Sequence, residues 1–163
     1  MDAEKFTKKS LEVIESCEKL AYEYNNQELT QAHLMYALVT VEDSLIAKLL
    51  TNMGINMDAF TGECEKLVAN RPKVSGGQLF TSPEFSKALI QAEKEAKQMG
   101  DDYISVEHIF LGLLEKADKD IKRVINAYGI TRGKFLEVLA NIRGNRKVES
   151  DNPEDTYDAL NKY

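Results

Sequence analysis

Apolar residues recur at three- and four-residue spacing in one segment after another, and that period predicts a succession of amphipathic helices. Val13, Ile14, Cys17, Leu20, Ala21 and Tyr24 form one stripe, and Asn25-Asn26 ends it. Thr30 is placed to cap a second helix, its hydroxyl accepting an orphan backbone N–H, with Leu34, Ala37, Leu38 and Val41 facing inward. Ser44 caps a short third helix that stops at Gly54, where a left-handed turn is cheapest for glycine. Asn56 opens a fourth, through Phe60, Cys64 and Leu67 to Arg71-Pro72. Leu11 and Ile90 fall off the stripes of their helices and are expected at the surface, where a single apolar side chain needs no special role.

The pattern then repeats. His33 and His108 lie 75 residues apart, and at that offset Ala21 meets Ala96, Thr30 meets Ser105, Leu34 meets Ile109 and Leu38 meets Leu113. The register continues without a gap through Gly54-Ile55 onto Gly129-Ile130, Phe60 onto Phe135, and Arg71 onto Arg146. Ser82 followed by Pro83, then Ser105, Gly129 and Thr131, mark the matching helix boundaries in the second copy. An all-α fold follows: two pseudo-twofold-related four-helix repeats, with no sheet. The first repeat is expected at 1–71, a connector at 72–80 that is flexible by the composition of Pro72-Lys73-Val74-Ser75-Gly76-Gly77, and the second repeat at 81–146. Residues 147–163 carry Glu149, Asp151, Glu154, Asp155 and Asp158. They are expected to form an acidic linker with a turn at Asn152-Pro153 and a conditional amphipathic helix around Tyr157, Leu160 and Tyr163.

Composition agrees with helix and narrows the partners. Only 3 Pro and 9 Gly interrupt 163 residues, and 43% hydrophobic with 29% charged is the balance of a folded chain. A formal charge of −6 with no compensating basic patch argues against nucleic acid or an anionic membrane as partner. The opening Met1-Asp2-Ala3-Glu4-Lys5 has no apolar signal core and no run is long enough to span a bilayer, so a cytoplasmic setting is expected. There Cys17 and Cys64, at no metal-ligand spacing, would remain buried thiols.

Little in the chain points to catalysis. Neither a phosphate-cradling Gly-x-x-x-x-Gly-Lys-Ser/Thr loop nor a dinucleotide-binding turn is present, and no nucleophile or metal constellation stands out, so an enzyme is not expected. His33 and His108 each follow a helix cap by three residues, which predicts local packing or hydrogen bonding rather than a metal site. Glu107 sits in the first turn of its helix, favourable to the helix dipole, and Asp101-Asp102-Tyr103 has the composition of a solvated turn.

Tandem four-helix repeats, Thr/Ser-x-x-His at the second helix, His33-Leu34-Met35-x-Ala37-Leu38 and Gly-Ile after the third helix together resemble the Clp N-terminal domain over residues 1–146. The segment Asn152-Pro153-Glu154-Asp155-Thr156-Tyr157 and its continuation to Tyr163 resembles the link to the first ATPase module of ClpB-type disaggregases. Asn25-Asn26-Gln27 and Gly100-Asp101-Asp102-Tyr103-Ile104-Ser105 resemble ClpB as well. ClpC-type relatives carry Thr-Glu-His in both repeats, with glutamates serving phosphoarginine recognition. The first copy here has Gln31-Ala32-His33 and only the second keeps Glu107, so a paired phosphoarginine site is not expected.

The resemblance implies a non-catalytic domain that docks unfolded or aggregated polypeptide in a groove for a hexameric ATPase ring. The rest of that ring, and a cooperating chaperone system, would be its other partners. ATP and magnesium would belong to ATPase modules outside this chain, with no cofactor or metal in this domain, and the isolated domain would be monomeric. Carried over position by position, Thr7, Asp101 and Glu107 are the implied polypeptide-binding residues, with Leu89 and Tyr103 as secondary members; Leu89 also fits the core stripe. An apolar trough with an acidic rim would favour clients bearing Lys or Arg, with affinity of about 8 kcal/mol or less so that clients can be handed on. The rival roles are docking of a dedicated adaptor, as in Clp protease ATPases, and a structural cap on the ring.

Overall fold

The computed structural model describes residues 2–154. After a 3-10 turn at Ala3–Lys5, the described residues form helices α1 (Lys8–Glu23), α2 (Gln31–Thr40), α3 (Leu45–Asn52) and α4 (Met57–Ala69), then α5 (Pro83–Gln98), α6 (Val106–Glu115), α7 (Lys119–Ala127) and α8 (Arg132–Arg143). The limits of α1 and α2 recur 75 residues on in α5 and α6, and the other two pairs differ by one residue at one end. The expected all-helical pair of four-helix repeats is what the described residues form. Caps set these limits: Ser44, Asn56, Ser82 and Thr131 each accept a backbone N–H three residues on, from Ala47, Ala59, Phe85 and Lys134.

One feature lies outside that expectation. A two-residue parallel pairing joins β1 (Glu28–Leu29) to β2 (Phe80–Thr81), and Phe6 bridges Ile104 in the same way. The two pairings are counterparts at the 75-residue offset. The lead-in to each copy's first helix hydrogen-bonds the segment before the other copy's second helix, as Thr7 N–H does to Ile104 O at 3.0 Å and Ser82 N–H to Leu29 O at 2.8 Å. A link made by so few backbone groups leaves no period in the side chains.

A single hydrophobic core runs through both copies. Phe110 packs on Phe135 with ring centroids 4.5 Å apart, and Phe60 of the first copy meets Tyr128 of the second edge to face at 5.2 Å. Gln31, fully buried, also ties the copies: its amide donates to the Glu84 and Lys116 carbonyls and accepts from Asp118 N–H. Helices α5 and α6 approach so closely that a Cβ on Gly112 would collide with the Ala88 carbonyl oxygen. Leu11 and Ile90 are exposed, and both cysteines are buried thiols.

After α8 the chain turns back over the second copy. Val148 O accepts from Asp102 N–H at 2.9 Å, and Asp151 O accepts from Lys8 N–H at 2.8 Å. The acidic segment is therefore packed on the domain as far as residue 154; the amphipathic piece expected around Tyr157, Leu160 and Tyr163 lies outside the described residues. Among those described, no helix is long and apolar enough to cross a membrane.

Candidate functional site

Each second helix begins with a histidine cap. Thr30 N–H donates to His33 Nδ1 at 3.0 Å, so the other ring nitrogen carries the proton and donates to Asn26 Oδ1 at 2.8 Å. The second copy repeats the device, with Ser105 N–H to His108 Nδ1 at 2.9 Å and His108 Nε2 to Asp101 Oδ2 at 2.7 Å. Histidine here takes the part that Glu or Gln plays in a capping box. Burial, reinforced by the nearby Arg71 charge, pulls His33 down to about 4. The expected local hydrogen-bonding role of both histidines holds.

The copies part company in charge. Where the first has Asn26, Ala32 and Val68, the second has Asp101, Glu107 and Arg143. All three are buried. The Arg143 guanidinium pairs closely with Asp101 Oδ1 and stands 3.6 Å from Glu107 Oε2. Asp101 also accepts from Val148 N–H at 3.0 Å. Burial works against its charge, but the hydrogen bonds from His108, Arg143 and Val148 outweigh it and hold its carboxyl at about 2.

Thr7 completes the cluster from the start of α1. Its hydroxyl accepts from Ser10 N–H at 3.2 Å and donates to Glu154 Oε2 at 2.7 Å. The same Glu154 oxygen takes Val106 N–H, in the first turn of α6, at 3.3 Å. Burial, with the Glu107 carboxylate close by, pushes Glu154 up to about 7. Glu154 Oε1 and both Glu107 oxygens are buried without a hydrogen bond, an uncomfortable state for carboxyl oxygens.

The structure thus brings Thr7, Asp101 and Glu107 together, through Arg143 and Glu154. Leu89 on α5 and Tyr103 ahead of α6 are half-buried against the core. Two corrections follow. Asp101 is not in a solvated turn, because its neighbours supply enough donors to keep a buried carboxylate charged; only Asp102 beside it is exposed. Nor do the three residues stand open to solvent: each is buried, with Thr7 bonded to Glu154 and Asp101 to Val148. Arg143 and Glu154 were missed, although Arg143 had a signal: a cation on the apolar face of α8, at the offset of Val68. Glu154 had none, being one acid among several in a polar segment. Among the described residues no group of His, Cys, Asp or Glu is arranged to hold a metal ion.

The fold and this cluster define a repeat domain with a buried charged cluster at the start of its sixth helix. The chain belongs to the Clp repeat (R) N-terminal domain family, whose sequence pattern matches residues 5–128. Among its relatives, chaperone protein ClpB of Nitratidesulfovibrio vulgaris is 41% identical over the whole of this chain, and ClpB of Clostridium tetani 40%. The chain spans about one fifth of the length of these curated relatives, 20% and 19%. The crystal structure of the Hsp104 N-terminal domain from Candida albicans shares the fold, with a TM-score of 0.79 at 21% identity, covering 90% of this chain and 97% of that one.

Proposed function

We propose that this chain is the polypeptide-docking N-terminal domain of a ClpB-type ATP-dependent chaperone, presenting unfolded or aggregated clients for disaggregation. The observation that carries the reading is the asymmetry between the copies. A duplicated fold needs no charge at these positions, as Asn26, Ala32 and Val68 demonstrate. The second copy nevertheless buries Asp101, Glu107 and Arg143 beside Thr7, and a buried charge cluster is a poor way to gain stability. Retaining a carboxylate whose oxygens lack hydrogen bonds is better explained by a ligand that satisfies them.

On this reading the repeats at 1–71 and 81–146, joined by 72–80, work as one binding unit, and 147–163 leads toward the first ATPase module. Catalysis, with ATP and magnesium, belongs to that ring, in the cytoplasm, and a cooperating chaperone system would share the clients. Alone, the domain is monomeric. Fluorescence anisotropy of a labelled, permanently unfolded polypeptide tests the docking role. Binding in about the micromolar range is expected, weakened severalfold or more by Glu107→Gln and unchanged by Glu18→Gln on the exposed face of α1. No binding at millimolar concentrations would refute direct docking and favour adaptor recognition or a bracing role.

A further inference from the structure

Resting on that reading of the site, we infer that residues 148–154 are a strap that closes it from within the same chain, and that a docking polypeptide must displace the strap. The segment is pinned at three points. Val148 exchanges hydrogen bonds with the Asp101-Asp102 corner, Asp151 O takes Lys8 N–H at 2.8 Å, and the Glu154 carboxylate takes the Thr7 hydroxyl and Val106 N–H. These last two are the donors that a ligand entering at the start of α6 would meet first. Glu154 therefore stands where a ligand's acceptor would stand, only 4% exposed.

The closed state is poised to open. Glu154 meets Glu107 from α6, Thr7 from ahead of α1 and, behind Glu107, Arg143 from α8, whose guanidinium also serves Asp101; Asp101 in turn holds His108. The Glu154 and Glu107 carboxyl groups thus stand close to one another, with the Arg143 cation on the Glu107 side. In the open state Glu154 returns to the ordinary carboxylate range near 4.5, whereas closed it stays up at about 7. A group raised in the closed state favours closure at acid pH, and that contribution is lost as pH rises through about 7. Above neutrality Glu154 ionises against Glu107 and the strap loosens. Displacement then uncovers Thr7, the Val106 N–H and Glu107 together.

Two substitutions in the full chain push in opposite directions. Glu154→Ala removes both hydrogen bonds and frees the strap. Glu154→Gln keeps an acceptor for Thr7 and Val106 while removing the charge, so it holds the strap shut near pH 8. Hydrogen exchange at the Lys8 and Val148 amides is expected to quicken about tenfold in the first and slow in the second. Affinity for a labelled, permanently unfolded polypeptide should rise severalfold in the first and fall in the second. Unchanged exchange in both variants would overturn the strap. Shifted exchange with equal affinity in all three chains would overturn its gating role. Shifted exchange with no binding by any chain would instead sink the docking reading and leave the strap contact standing.

Discussion

Replacing Arg143 by valine should be far more damaging alone than together with two further substitutions. Arg143 is 3% exposed, and the side chains it serves, Asp101 and Glu107, are fully buried. Arg143→Val strands two carboxylates away from water without their cation, and breaking a buried pair from one side costs about 3–5 kcal/mol. Adding Asp101→Asn and Glu107→Ala gives the second copy the residues of the first. The Asn26 amide already shows that the histidine can be satisfied without charge, its oxygen 2.8 Å from His33 Nε2. What remains is lost side-chain volume and the weakened Val148 contact, together about 1–2 kcal/mol. The triple variant should therefore be more stable than Arg143→Val by about 2 kcal/mol, despite carrying two more changes. Urea unfolding of both variants and the parent, with comparable m values, measures the difference. A triple variant as unstable as Arg143→Val, or less stable, would refute the view that these three residues act as one electrostatic unit with a neutral equivalent in the first copy.

Two further outcomes follow from the same structure. His33 should titrate near pH 4 by the NMR shift of its ring protons rather than near 6.5. Because the unfolded chain takes up that proton first, about 3 kcal/mol of stability drains away as pH falls from about 6.5 to about 4, and a ring midpoint near 6.5 would contradict the buried neutral cap. Gly112→Ala should lower stability by about 1–3 kcal/mol in thermal or urea unfolding, despite the better helix propensity of alanine, because the new methyl meets the Ala88 carbonyl. A stabilised variant would mean that α5 and α6 can part without penalty.

The helices were legible because they are built from side chains at a fixed period: Val13, Cys17 and Ala21 are buried where the stripe places them, and the caps at Ser44, Asn56, Ser82 and Thr131 are made. The exchange of short strands between copies was not, because Thr7 N–H to Ile104 O is a backbone contact that most side chains would permit. The site was half legible. Thr7, Asp101 and Glu107 came from resemblance, and the structure joins them into one cluster. Their burial was hidden, since whether Asp101 meets water depends on Arg143 and Val148 from 42 and 47 residues away. The register itself held a clue, for charge replaces Asn26, Ala32 and Val68 in one copy only.

That asymmetry makes the decisive test an NMR titration of the chain with an unfolded polypeptide near pH 8, comparing backbone amides at equivalent positions of the two repeats. Docking at the charged cluster predicts shifts at Thr7 and across Ile104, Ser105, Val106, Glu107 and His108, with little change at Ser82 and the counterparts from Leu29 to His33. Equal shifts in both repeats, or none at the second while polypeptide binds elsewhere, would contradict the assignment of the site.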